Sequence, residues 1–466
     1  MLSVRALTLS LLLATSLHAS VIGPNTPAMS LTEERVRSLP AAQRGPWLDY
    51  LKRSAAQMVA DKAALAKERE GLAEVPGLPK QGSSARSMPL HRAPEYYKSD
   101  EARKVGDTVL SFQTPGGGWS KNLDFSVGPR MRGQIYATAN LPPTPQPKDD
   151  YDYPKDETWH YISTLDNDAT NTEIHFLAEL SAALPGKEGD AYRAAILRGI
   201  EFLLRAQYPN GGWPQVWPLE GGYHDAITFN DDAVTESAET LTLAANAAKT
   251  TNDPEEPDPA MVEMMKQAGR VVPEQHAVTE DFSFVPQALR LRAKVAAAKA
   301  LECILATQLK VPAPDGKGMV LTVWAQQNDP LTLVPVSARN YEMPSLSSGE
   351  SASVMEYLMS LPKPSPAVVC AVDAAAAWFE ASKIMGYGWV GDRRSPSRKF
   401  VPVPGAGPLW ARYYSLTTGK PIFGDRDKTI HDDVNELSAE RLNGYGWYGA
   451  APERALKEYA EWKKKQ

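Results

Sequence analysis

Cysteine is nearly missing: the 466 residues hold two, Cys303 and Cys370, and histidine stops at seven. No C-x-x-C or H-E-x-x-H pattern occurs, so a zinc site has no signature in the sequence. Each cysteine lies in an apolar stretch, LECILATQ and AVVCAVDAAAAW, which fits a buried small hydrophobe. An oxidising compartment would also permit a disulfide between them. Positive charge is short as well, with 50 Lys and Arg against 56 Asp and Glu. Without a cationic excess to neutralise phosphates, nucleic acid is not an expected partner. Phosphate-binding loops and dinucleotide fingerprints are absent, because GGGW at 116–119 lacks their spacing and strand context. Beyond the first twenty residues no apolar run is long enough to span a bilayer, so no membrane partner is expected.

That first run, MLSVRALTLSLLLATSLHAS, has a single basic residue (Arg5), an apolar stretch from Ala6 to Ser16, and the small Ala19 at a cleavage position. It reads as a secretory signal peptide over 1–19, which places the mature chain as secreted or periplasmic. The competing reading is a buried N-terminal helix. Residues 20–94 form a helical extension that ends in a Gly-, Pro- and Ser-rich linker from Gly71. The main domain spans 95–456. It carries a second such loop from Leu141 to Pro154 and an acidic, Pro-rich insertion at about 252–277.

The main domain is predicted to be mostly helical. Thr172 to Leu184, Asp190 to Gln207, Ala233 to Lys249, Pro286 to Gln308, Ser351 to Ser360 and Pro366 to Met385 are Ala-rich, with apolar residues at i, i+3, i+4 and i+7. Gln113-Thr-Pro-Gly-Gly-Gly-Trp119 recurs without gaps as Gln207-Tyr-Pro-Asn-Gly-Gly-Trp213, and a weaker copy runs from Gln308 to Trp324. Each is a helix ending in Gln, a Gly-rich turn and an anchoring Trp. Repeated units of this kind predict an α/α toroid-like fold, an incomplete barrel or superhelix, with long loops carrying the active site at one end. The chain is expected to be a monomer.

Two loops concentrate oxygen donors: Asp166-Asn167-Asp168 and Asn230-Asp231-Asp232. Carboxylates and amide carbonyls suit hard cations such as calcium, although neither loop has EF-hand spacing. Both loops precede helices, so helix N-caps explain them equally well. Lys121, Arg339, Arg412 and Arg426 supply opposite charge on other loops and suggest a local site for an anionic substrate. Pairing of each Arg with a nearby acid, such as Glu342 or Asp427, is the alternative. His224 reads either as a substrate contact or as a structural hydrogen-bonder.

Together TLDNDAT, GGWPQVWP with ITFNDDA, ARNYEMPSLSSGES, WARYYSLTTGKPIFGDRD and ERLNGYGWYG resemble the family 10 pectate lyases, in the right order over about residues 95–450. The resemblance implies a toroid-like helical fold and cleavage of polygalacturonate (pectate, the acid form of pectin) by calcium-assisted β-elimination, leaving 4,5-unsaturated ends. It places Arg339 as the catalytic base that removes the C5 proton. Asp166, Asn167 and Asp231 are then the metal site, with Asn167 also on the substrate carboxylate. Arg412 and Arg426 bind substrate, with Lys121 and His224 as further contacts. Three positions depart from the family: Asp168 replaces a usual Gly, Asn328 a frequent His, and Leu442 a frequent Arg. Two other readings stay open, a toroid glycoside hydrolase using Asp166 and Asp231 and a non-catalytic pectin-binding protein.

Overall fold

The computed structural model describes residues 21–82, 88–140, 147–252, 266, 274–313, 316–393, 395 and 397–466. The expected signal peptide at 1–19 and most of the acidic insertion at 252–277 lie outside the described residues. Helices form where the apolar spacing places them: α1 (Glu33–Arg37), α2 (Ala41–Arg69), α3 (Asp100–Phe112), α4 (Asn171–Ala183), α5 (Asp190–Ala206) and α6 (Ala233–Asn246). They continue with α7 (Gln287–Thr307), α8 (Ser348–Ser360), α9 (Pro366–Ala381), α10 (Ala439–Gly444) and α11 (Ala451–Lys463).

One side-chain device stacks them. Gln113, just past α3, donates its amide to Gly117 O and to Ala195 O of α5, at 2.8 and 2.9 Å. Gln207 repeats this from the end of α5 to Ala296 O of α7, and Gln308 from α7 to Ala371 O of α9. Each bond satisfies a buried amide while tying one helix to the next. The Trp of each turn folds back: Trp119, Trp213 and Trp324 donate their indole N–H to Val109 O, Leu203 O and Ile304 O. Trp410 does the same to Phe379 O, a fourth unit that the motif search passed over because Ser382 stands at the helix end in place of the Gln and the connection to the Trp is much longer. The helices α3, α5, α7 and α9 thus form one layer, and α4, α6, α8 and α11 pack against it as the other. The result is a helical double layer of the toroid-like kind and not a closed barrel.

The N-terminal extension is part of the core. Tyr50 of α2 stacks on Tyr208 with ring centres 4.7 Å apart and donates its hydroxyl to Ala206 O at 2.9 Å. The strand Val21–Pro24 joins a three-stranded antiparallel sheet with Thr429–His431 and Phe423–Gly424. The cysteine reading needs correction: Cys303 is buried, but Cys370 is exposed on the outer face of α9, and the two are not bonded to each other. Val368, Ala371 and Val372 turn that helix's apolar stripe away from position 370. Among the described residues no helix is long and apolar enough to cross a membrane.

Candidate active site

The site lies where turns enter α4, α6 and α8. Residues 164–169 and 228–233 read Thr-Leu-Asp-Asn-Asp-Ala and Thr-Phe-Asn-Asp-Asp-Ala, a second internal repeat that the sequence reading missed. Asn167, Asp168, Asp231 and Asp232 all take left-handed backbone angles, with φ of 53°, 60°, 48° and 54°. Only Gly, Asn and Asp visit that region readily. The two turns bend toward each other, and Asn167 N–H donates to Asp231 Oδ2 at 3.0 Å. The N-cap reading gives way here. Thr170 and Glu173 cap α4, Thr170 N–H donating to Glu173 Oε2 at 2.5 Å, and α6 starts without a side-chain cap bond.

Asp166 is buried and accepts from Lys121 Nζ and, at 2.7 Å, from Gln215 Nε2. Burial alone would raise its pKa, but the charges of Lys121 and Arg339 outweigh it and hold the carboxyl at about 2. Asp231 goes the other way: burial first, then the Asp166 charge, push it well above the usual carboxylate range. Asn230 bridges the acids to the cations. Its amide donates to Asp231 Oδ2 at 2.7 Å, and its oxygen accepts from Arg412 at 3.0 Å. Arg412 also donates to Glu350 Oε1 at 2.5 Å. A cleft of about 230 Å³ opens beside them, lined by Asp231, Asp232, Glu350, Ser353 and Arg412.

Arg339 is the partly open member, with 29% of its side chain exposed. It lies 3.6 Å from Asp152 Oδ2 and 3.5 Å from Glu342 Oε1, and its backbone N–H donates to Glu342 Oε2 at 3.0 Å. Burial pulls the guanidinium pKa down, but Tyr341, Glu342, Tyr223 and Asp152 hold it well above the ordinary value. Lys121 is buried with its ammonium 3.5 Å from the Tyr161 ring centre, so it serves Asp166 from inside. His224 is buried behind Arg339, its Nε2 2.8 Å from Tyr161 OH and 3.6 Å from Asp152 Oδ1. Arg426 stands farther out, paired with Glu440 at 3.2 Å and set over the Tyr341 ring. The expected Asp427 partner is not used; Asp427 instead accepts from Thr429.

The structure thus joins Asp166, Asn167, Asp231, Lys121, Arg339 and Arg412 in one charged network, with Arg426 at its rim and His224 beneath. Of the three departures, Asp168 adds its charge to those acting on Asp231 and Asp232. Asn328 is buried and donates to Leu333 O at 2.8 Å, which is a turn-holding role. Leu442 is buried in the core, and beside it Arg441 is buried over the Tyr341 ring at 4.3 Å. Asp152, Tyr161 and Glu350 were missed from sequence, whereas Glu342 takes the place beside Arg339 that the pairing reading gave it. The acidic, aromatic run PKDDYDYP was the available signal for Asp152.

Residues 113–257 and 250–456 match the family model described as pectic acid lyase. Among solved structures, the chain is similar to a family 10 polysaccharide lyase from Cellvibrio cellulosa at 30% identity. That match covers 79% of this chain and 94% of that one, with a TM-score of 0.57. A variant of a family 10 polysaccharide lyase from Cellvibrio cellulosa, in complex with trigalacturonic acid, matches at 29% identity. It covers 82% of this chain and 99% of that one, with a TM-score of 0.58. No curated protein gives a significant match.

Proposed function

We propose, from the premise that the chain belongs to the pectic acid lyase family, that it cleaves polygalacturonate by β-elimination with calcium and acts outside the cytoplasm. The enzyme is a lyase, so the glycoside hydrolase and the non-catalytic binding protein fall away. The observation that carries the substrate class is the pairing of each cation with a carboxylate. Arg339 faces Asp152 and Glu342, Arg412 faces Glu350, and Arg426 faces Glu440. Uronate carboxylates present the same group to the same guanidinium forks. A bound trisaccharide of this acid in a relative supports the assignment.

The donor set fits calcium. Asp166, Asn167 and Asp231 offer oxygen ligands, and burial together with the Asp166 charge raises the Asp231 pKa, a penalty that a bound cation would relieve. Calcium bound there supplies positive charge against the substrate carboxylate as negative charge develops on it. The chain's own residues do the rest. Arg412 and Arg426 clamp neighbouring uronates. Arg339 takes the C5 proton, the C5–H electrons form the C4=C5 bond, and the C4–O bond breaks, with water giving a proton to the leaving oxygen. Lys121 keeps Asp166 ionised beside this centre. Because its acidic neighbours hold Arg339 protonated, the base becomes competent only when substrate displaces those contacts. Secretion rests on the leader-like sequence at 1–19.

The test is ultraviolet absorbance of 4,5-unsaturated ends from polygalacturonate, with calcium and with excess chelator. Absorbance that grows with calcium and stops with chelator supports the reading. Reducing ends without absorbance, or full activity in chelator, overturn it.

A further inference from the structure

We infer that Asp152, His160 and His224 form a second metal site, for a borderline divalent transition ion such as zinc, separate from the calcium-type oxygen site. One ligand atom from each lies within 4.8 Å of the other two. An ion with ligand bonds of about 2.1 Å spans about 4.2 Å at most between ligand atoms, so binding tightens the group slightly.

The strongest observation is on His160. Its residue is only 7% exposed, yet Nε2 is buried without a hydrogen-bond partner. A buried ring nitrogen left unpaired is destabilising, and a bound ligand would relieve that cost. The other nitrogen, Nδ1, lies 2.7 Å from Glu220 Oε2. With Nδ1 engaged by Glu220, which is outside the three-residue group, Nε2 is the ring nitrogen left to take a ligand. A carboxylate that holds the Nδ1 proton fixes the tautomer whose Nε2 lone pair is free, which is the usual outer support of a metal-binding histidine. The His160 and His224 rings lie 5.5 Å apart, nearly perpendicular.

Two imidazoles and one carboxylate favour zinc, cobalt or nickel over calcium. Charge is compatible. Arg339 near Asp152 and Lys121 over the Tyr161 ring oppose a cation, while Asp152, Glu220 and Glu342 favour it. Binding must displace the hydroxyls now near this group: Tyr161 OH beside His224 at 2.8 Å, and Tyr223 OH, which donates to Asp152 Oδ1 at 2.5 Å.

The inference stands independently of whether cleavage needs calcium. Untagged, chelator-stripped full-length protein is titrated with zinc by calorimetry in excess calcium, and with cobalt by visible absorption. One ion per chain with a nitrogen-ligated cobalt spectrum is the expected result. His160→Gln abolishes both signals, Glu220→Gln weakens binding about 10–100-fold, and Asp231→Asn leaves both unchanged. Should His160→Gln fail to fold, the Glu220→Gln and wild-type titrations still decide. No zinc binding by the wild type, binding unaffected by either variant, or a cobalt spectrum without nitrogen ligands overturns the site.

Discussion

The side-chain amide of Asn25 donates to the backbone oxygen of Arg339 at 3.2 Å, across 314 residues of chain. The same amide donates to Asn340 O at 3.0 Å and Glu342 O at 3.2 Å, so one buried side chain gathers three carbonyls of the Arg339 loop. Tyr151 locks the arrangement from the other side, its hydroxyl donating to Asn25 O at 2.7 Å and its N–H to Asn340 Oδ1 at 2.9 Å. Asn25→Ala leaves the three carbonyls short of a donor and costs about 1–3 kcal/mol. A shifted Arg339 is the larger consequence, because misplacement by about 1 Å lowers turnover about 10²-fold. Denaturant melts and steady-state kinetics check it: kcat falls far more than KM rises, and the circular dichroism spectrum is kept.

This strap was not legible in the sequence, and the reason is physical. Its strand is four residues long and pairs with one of three, too short for any apolar period to show, and its key contact is a single polar side chain. The helix ladder was legible because its signal is local. Gln and Trp lie within a few residues of each turn, and a Gly-rich loop between them has few other uses. The acids of 166–168 and 230–232 were visible as residues but not as partners, since only left-handed turns bring two loops together edge to edge. Asp152 was hidden in a loop whose Pro content drew attention instead.

Arg339→Ala is expected to lose nearly all turnover while oligogalacturonate affinity falls much less, and Arg339→Lys to retain little. Because Glu342 and Asp152 hold the guanidinium protonated, the neutral form is scarce at neutral pH. The rate of the wild type therefore rises through the alkaline range without a plateau near pH 7. A pH profile of kcat/KM on polygalacturonate, which reports the free enzyme where those contacts stand, checks it, and a flat profile between pH 7 and about 10 would give the proton to another group.

The two substrate arginines should respond differently to Lys. Arg412 bonds Glu350 and Asn230 from one partly buried nitrogen, Nη2, so Arg412→Lys strains both bonds and removes the remaining guanidinium N–H groups that a uronate would use, costing both stability and binding. Arg426 pairs with a half-exposed Glu440, a contact of little stability value. Arg426→Lys therefore raises KM with little change in melting temperature. Methyl-esterified pectin, lacking the carboxylate, should be a poorer substrate for the wild type, and equal rates on both polymers would count against the clamp.

Calcium dependence is best probed at Asp231. Burial and the Asp166 charge raise its pKa, so the neutral Asp231→Asn relieves that penalty while keeping the shape and an acceptor for Asn167 N–H. The fold should tolerate it within about 1 kcal/mol, while the calcium needed for half-maximal activity rises at least about tenfold as a ligand charge is lost. Asp166→Asn would strand the buried Lys121 ammonium and cost about 3–5 kcal/mol. Thermal melts and calcium titrations of the two variants separate metal binding from folding.

Stability and activity should run in opposite directions with pH. Glu179 on α4 is buried, accepts from Tyr97 OH at 2.6 Å, and burial pushes its carboxyl up to about 8. For an acid whose folded pKa is raised from about 4.3, the stabilising contribution is full below the unfolded value. It is lost as pH rises through about 8. His175, also on α4, lies 2.5 Å from Glu280; burial lowers its pKa, but Glu280 raises it to about 9 overall. A histidine raised in this way stabilises below its unfolded value of about 6.5 and loses that contribution as pH climbs through about 9. Both groups therefore weaken the fold between about pH 6.5 and 8, and His175 alone continues to about 9, over the range where the Arg339 argument has turnover rising. Glu179→Gln removes the acid's share while an amide oxygen remains to accept from Tyr97. Its melting temperature should draw level with or pass the wild type's as pH rises from 5 to 9, with kcat unchanged because Glu179 lies outside the charged network. Parallel melting curves for the two proteins at every pH would sink the assignment.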